Sequence, residues 1–180
     1  MSKRKTSSFY LTERLVCTAS GGTVTATIDT GSYTDVANKQ GLAIEEVDYI
    51  IQGADDNGNP QTVTQSMTGN CSVEAQLSEL NRGGTIQFAD DRALISSATC
   101  LFSQSSNTAY DALDIYPDAF GAKDGVRIVI NDQLYLTART NGSFQSNETV
   151  SVTVRIKAYV CSLSAKDYMA LALQSTAADN

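Results

Sequence analysis

Residues 149–161, TVSVTVRIKAYVC, alternate strictly in polarity. Val150, Val152, Val154, Ile156, Ala158 and Val160 fall on one side, and Thr149, Ser151, Thr153, Arg155, Lys157 and Tyr159 on the other. Successive side chains of a strand point to opposite faces, so a period of two kept this long demands a strand with one buried face. A sheet that is apolar on one face needs a second layer to cover it. The same period runs through Asn70–Ser78, where Cys71, Val73, Ala75 and Leu77 share a face, and through Thr23–Ile28, where Val24, Ala26 and Ile28 do.

Further runs rich in strand-forming residues are Phe9–Thr18, Leu42–Gln52, Gln61–Thr68, Thr85–Phe88, Ala93–Phe102, Val126–Ile130 and Leu134–Thr140. Asn131-Asp132 or Asp132-Gln133 is placed to turn a hairpin between the last two. Asp55–Pro60 (DDNGNP) is a strong turn: its side chains favour local hydrogen bonds and positive φ, and Pro60 donates no ladder bond. Asn81–Gly84 and Thr140–Ser143 read as turns, Ser103–Leu113 as a polar loop, and Tyr116-Pro117-Asp118 as another. This spacing predicts eight to ten strands. The exception is the C-terminus, where Ser164 is placed to cap a short helix over 165–174. Asp167 stands in its first turn, and Leu163 and Tyr168 form a hydrophobic staple.

The expected fold is all-β: an antiparallel two-sheet sandwich of jelly-roll type with a short C-terminal helix. A basic N-terminal arm covers residues 1–8 and the jelly-roll domain residues 9–180. An immunoglobulin domain is shorter and carries a core tryptophan. This chain has 180 residues and no tryptophan, so the strand count favours the jelly roll. No apolar run reaches the length of a membrane span, and none of signal-peptide type follows the basic, polar Met1–Ser8. The chain is therefore expected to have neither a transmembrane segment nor a signal peptide.

Charge is unevenly placed. Residues 1–14 hold four basic residues against one acid, a net +3, whereas the remainder holds nine against nineteen, a net −10. An anionic partner, whether nucleic acid or a membrane, would therefore meet Lys3, Arg4 and Lys5 alone.

Little catalytic chemistry is legible. There is no histidine, which removes Ser-His-Asp and Cys-His systems, HExxH zinc sites and histidine bases. Cys17, Cys71, Cys100 and Cys161 form no CxxC pair, and reduced thiols are expected. Asp55, Asn57 and Asn59 resemble the start of a calcium loop, but Pro60 and Ser66 stand where the glycine and the bidentate glutamate belong. Asp90 and Asp91, like Glu45 and Glu46, are adjacent and on strands would face opposite ways. Sequons occur at Asn70, Asn141 and Asn147, tripeptides common by chance in a Ser/Thr-rich chain. The eight tyrosines are scattered and predict no stacking platform. Catalytic, cofactor-binding and metal-ligating residues are not expected.

Gly41–Ile51 (GLAIEEVDYII) resembles an early capsid strand. Asp132–Leu136, Val150–Tyr159 and then Leu163–Leu173 are similar to the tail end of small capsid proteins from tail-less, icosahedral microbial viruses, where a last strand is followed by a closing helix. About a third of the chain carries this resemblance to single-jelly-roll capsid proteins. It implies a structural shell subunit of a virion, made in the host cytoplasm, that self-assembles with identical copies and meets other capsid or spike proteins. Lys3, Arg4 and Lys5 would then face packaged nucleic acid or an internal lipid membrane, through charge alone. The acidic body fits better a shell around a lipid vesicle, or a genome neutralised by other proteins. The alternative is a β-sandwich binding module for carbohydrate or adhesive recognition, with calcium near Asp55–Asn59. A cupin-like enzyme ranks last, because most cupins hold metal through histidines.

Overall fold

The alternating segments pair into two antiparallel sheets packed face to face. The computed structural model describes residues 2–18, 21–103, 106, 108–116, 126–145 and 147–178. Among them are eleven strands, β1 (Lys3–Arg4), β2 (Phe9–Cys17), β3 (Thr23–Asp29), β4 (Gln40–Ala54), β5 (Pro60–Gln61), β6 (Met67–Ser78), β7 (Leu94–Ser103), β8 (Thr108–Tyr116), β9 (Arg127–Val129), β10 (Gln133–Phe144) and β11 (Thr149–Ser162). Two helices, α1 (Val63–Ser66) and α2 (Ala165–Ala178), complete the set.

Pairing is nested. β2 pairs with β11, β3 with β10, β4 with β9 and β6 with β7, all antiparallel. One sheet runs β2-β11-β4-β9 and the other β3-β10-β6-β7-β8. A long hairpin rolled across two sheets gives this order, so the sandwich is a jelly roll with β8 added at one edge. β1 continues the line of β2 along β11, with Lys3 opposite Ser162 and Arg4 opposite Cys161. β5 pairs with the far end of β4.

The core is built from the alternation. Val150, Val152, Val154 and Ile156 of β11 are fully buried against Val73 and Leu77 of β6 and Leu134 and Leu136 of β10. Each such side chain stabilises the fold by about 1.5–3 kcal/mol, as an upper bound. Cys17, Cys71 and Cys100 belong to this core, and all four cysteines are free and buried. Cys161, out of phase with the inner face, lies instead with Ala43, Leu163 and Tyr168 in a second cluster where α2 packs on the outside of the first sheet. The Ser164 hydroxyl accepts the Asp167 N–H at 3.1 Å, as expected of the cap, and the helix runs four residues past Gln174.

Several local expectations are corrected. Gln61–Thr68 is not one strand. The Gln65 side-chain oxygen accepts both the N–H and the hydroxyl of Thr62, winding one helical turn that seats Ser66 against Gly53. Thr85–Phe88 joins no sheet, and the Gln76 carboxamide takes the place of a neighbouring strand. It donates to the Gln87 carbonyl and accepts the Gln87 N–H, both at 2.8 Å.

The polar loop expected over Ser103–Leu113 is not what its described residues form, since Ser103 ends β7 and β8 begins at Thr108. Thr108–Tyr116 adds to the open edge of β7, where backbone pairing suffices without an apolar face. Thr140–Ser143 stays within β10 as a bulge at Gly142, where φ is 123° and the missing Cβ leaves room for Cys71. Residues 130–133 turn no hairpin, since β9 and β10 lie in different sheets. Thr30 holds that crossing, its N–H to the Asp132 carbonyl and its hydroxyl to the Asn131 carbonyl, both at 2.8 Å. The turn expected at Tyr116–Asp118 falls, beyond Tyr116, outside the described residues.

Candidate functional site

The basic residues singled out in the sequence lie along the end of β11. The Lys5 N–H donates to the Val160 carbonyl at 2.8 Å, and the Thr6 hydroxyl accepts the Val160 N–H at 3.0 Å. Arg4 lies with its guanidinium 4.2 Å above the Tyr159 ring and donates to the Thr6 carbonyl, the Ser8 hydroxyl and Glu45. Its ion pair with Glu45 is long, at 3.5 Å, and half open to water, so its net worth is about 0–1 kcal/mol. Lys5 donates to the neutral Gln40 side chain at 3.0 Å. Lys3 is exposed, and its side chain makes no hydrogen bond or ion pair among the described residues. Lys3 therefore keeps its charge available, Lys5 makes no ion pair but lies within electrostatic reach of Asp35, and the charge of Arg4 is shared with Glu45.

Glu45 reaches Arg4 because β4 carries a bulge. Ile44 pairs with Ala158 and Glu46 with Lys157, leaving Glu45 as the extra residue. The inward set shifts from Leu42 and Ile44 to Val47, Tyr49 and Ile51 across it. Glu45 and Glu46 consequently do not face opposite ways as plain alternation predicts. They serve different cations, Glu45 meeting Arg4 and Glu46 lying 3.9 Å from Lys157.

A second feature, missed from the sequence, lies between α2 and one end of the sandwich. Glu79 follows β6 and is buried, 8% exposed, against Arg127 of β9, whose guanidinium nitrogens stand 2.8 and 2.9 Å away. Arg127 also donates to the Arg92 carbonyl, and Asn131 to the Glu79 carbonyl. Burial pushes the Glu79 carboxyl above the ordinary glutamate range, and Arg127 offsets only part of that shift. Beside the pair is a cavity of about 240 Å³ lined by Leu80, Val126, Ile128, Ile130 and Leu171, with the exposed Arg92 and the polar Gln174 and Ser175 also in its wall. A glutamate just past a strand carries no sign of this, since the pair exists only once both sheets close.

The remaining candidates resolve into local structure. Asp55 uses one carboxylate oxygen for the N–H groups of Asn57 and Asn59 and the other for the Asn59 amide, the bonding of a tight turn. Those bonds, led by the Asn59 side chain, hold its carboxyl below the usual aspartate range. Asp91 is taken bidentately by Arg82 at 2.8 and 2.9 Å, while Asp90 is exposed. Asn70, Asn141 and Asn147 are all exposed. The tyrosines are dispersed: Tyr33 stacks on Phe9 at 4.8 Å, Tyr10 lies under Arg155, and the Tyr49 hydroxyl donates to the Ser96 carbonyl. Among the described residues no group of three metal-ligating side chains converges, and no helix is long and apolar enough to cross a membrane.

These observations define an all-β jelly roll with an apolar core between its two sheets. No protein-family model matches the sequence, and no curated protein is similar to it. Among solved structures the chain aligns with a protein of Desmodium yellow mottle tymovirus, at 9% identity and a TM-score of 0.40, over 89% of this chain and 93% of that one. At that level the likeness assigns neither function nor site.

Proposed function

We propose that this chain is a structural protein, the subunit of a viral shell. The supporting observation is a jelly roll that leaves large apolar side chains exposed on several elements. Tyr10 lies on the outer face of the first sheet, Leu101 on β7 of the second, Val36 in the β3–β4 connection, Phe88 in the β6–β7 connection, and Met169 and Leu173 on α2. A subunit of a closed shell touches several neighbours at once and needs contact points on several sides. A catalytic domain concentrates its chemistry in one pocket instead. The resemblance of residues 41–51, 132–136, 150–159 and 163–173 to small capsid proteins points the same way.

Within that reading, Lys3 and Lys5 face the enclosed nucleic acid or membrane, and Arg4 fastens the segment that carries them. Sedimentation velocity of the purified protein over a range of concentrations tests the proposal. Rapidly sedimenting, uniform particles are expected, and a species of 19.2 kDa at every concentration sinks it. Replacing Lys3 and Lys5 by alanine is expected to lower the nucleic acid or lipid recovered with particles while leaving their size unchanged. Equal content in both preparations would remove that role.

A second reading, a carbohydrate-binding module, rests on the mixed polar and apolar cleft beside the β9–β10 crossing, lined in part by Asn81, Asp132, Gln133 and Tyr135. Binding to immobilised glycans by the monomer would favour it.

A further inference from the structure

The connection between β6 and β7 presents Phe88 to solvent, 87% exposed. An aromatic ring on a slack loop would fold back onto the nearest apolar surface, but this loop is clamped at several points. Gln76, itself 8% exposed, holds the backbone of Gln87 by two bonds of 2.8 Å. Arg82 and Asp91 close the base of the loop bidentately, and Asp91 also accepts the Ala93 N–H at 2.8 Å. The Asp91 N–H donates to the Phe88 carbonyl at 3.1 Å, and both the N–H and the hydroxyl of Thr85 return to the Arg82 carbonyl. The ring is thus exposed on a pre-ordered backbone. That arrangement lowers the entropic cost of docking and is the usual character of an interface anchor.

The same molecule carries a receptacle of matching chemistry. The cavity, lined by Leu80, Val126, Ile128, Ile130 and Leu171 together with polar groups such as Gln174 and Ser175, is about 240 Å³, larger than the roughly 150 Å³ of space that accepts a benzene ring. Charge matches as well. Asp90 stands exposed two residues beyond Phe88, with no side-chain partner among the described residues, and Arg92 stands exposed at the cavity rim in the same condition. Arg127, the other cation there, is already engaged by Glu79.

We propose that Phe88 of one copy inserts into this cavity of a second copy, with Asp90 of the first against Arg92 of the second. The inference rests on the shell-subunit reading and names one of its contacts. A knob and a hole carried by the same chain allow either a head-to-tail ring or a pair of reciprocal contacts about a two-fold axis.

Sedimentation velocity and light scattering of the full chain test it, with thermal unfolding to verify that each variant is folded. Phe88→Ala is expected to weaken self-association roughly tenfold or more while leaving the unfolding temperature in place. Asp90→Arg and Arg92→Asp, each of which sets like charges face to face, are expected to weaken it singly. The double variant Asp90→Arg/Arg92→Asp restores opposite charges across the contact and is expected to recover assembly. A Phe88→Ala protein that assembles like the wild type overturns this contact while leaving the shell reading intact. A double variant no better than the singles overturns the charge pairing. A wild-type chain that stays monomeric overturns both the contact and the reading beneath it.

Discussion

Gly53 shows how one residue sets local geometry. A Cβ there would lie 2.7 Å from the Thr62 carbonyl and against the Ser66 hydroxyl, where α1 crosses the end of β4. Gly53→Ala is expected to cost about 1–3 kcal/mol in urea unfolding, because the neighbours are backbone and a buried side chain rather than a movable tip. Glu79 makes a prediction with a sign. Its raised pKa means that the folded chain binds the proton more tightly than the unfolded one. The group therefore adds most stability below the ordinary glutamate value of 4.5 and loses that contribution as pH rises through its raised value. Asp91 behaves in the opposite way. Burial raises its pKa, but Arg82 and the Ala93 N–H outweigh burial and leave it lowered, so its contribution is lost as pH falls below 3.8. In unfolding measured across pH, the difference between wild type and Glu79→Gln is expected to grow as pH falls toward 4.5. The difference from Asp91→Asn is expected to shrink as pH falls below 3.8. At this scale little of the site was legible. Glu79, Arg127 and Arg92 are far apart in sequence and meet only through tertiary closure, whereas the local turn at Asp55 could be read from its own six residues.

Elements were more legible where one face is buried. Thr149–Cys161, Asn70–Ser78 and Thr23–Ile28 all form strands, because burial enforces the period of two and a slip by one residue would turn every valine outward. Reading failed where hydrogen bonds by individual side chains override the pattern. Gln65 turns a β-like run into α1, and Gln76 holds Thr85–Phe88 away from any sheet. Periodicity is equally blind to an edge strand such as β8, which needs only a partner's open backbone. Gln76→Leu is expected to free the segment near Phe88. Global stability should drop by about 1–3 kcal/mol as two backbone groups lose their partners, and limited proteolysis should shift to residues 85–89. At the other end, Ser164→Ala removes the cap of α2 and is expected to cost about 1 kcal/mol. Tyr168→Ala, which empties the cluster beneath the helix, is expected to cost about 3 kcal/mol.

For the whole molecule, the nested pairing of β2 with β11, β3 with β10, β4 with β9 and β6 with β7 explains how one chain closes a core without a disulfide among the described residues. The jelly roll itself followed from strand number and spacing, but the pairing order did not. Only tertiary closure decides that β9 joins β4 and not β10. The charge asymmetry of the sequence persists in space. Lys3 and Lys5 stand at the end of β11, above a body that is otherwise acidic, so a shell of such subunits is expected to loosen its hold on an anionic interior as salt rises. Release of co-purified nucleic acid or lipid by salt, with the particles themselves still intact, would show this. The central claim is self-assembly, and negative-stain electron microscopy of the purified protein tests it most directly. Closed, uniform particles or regular capsomers are the expected result. A field of isolated 19.2 kDa molecules under every condition of salt, pH and concentration would contradict it.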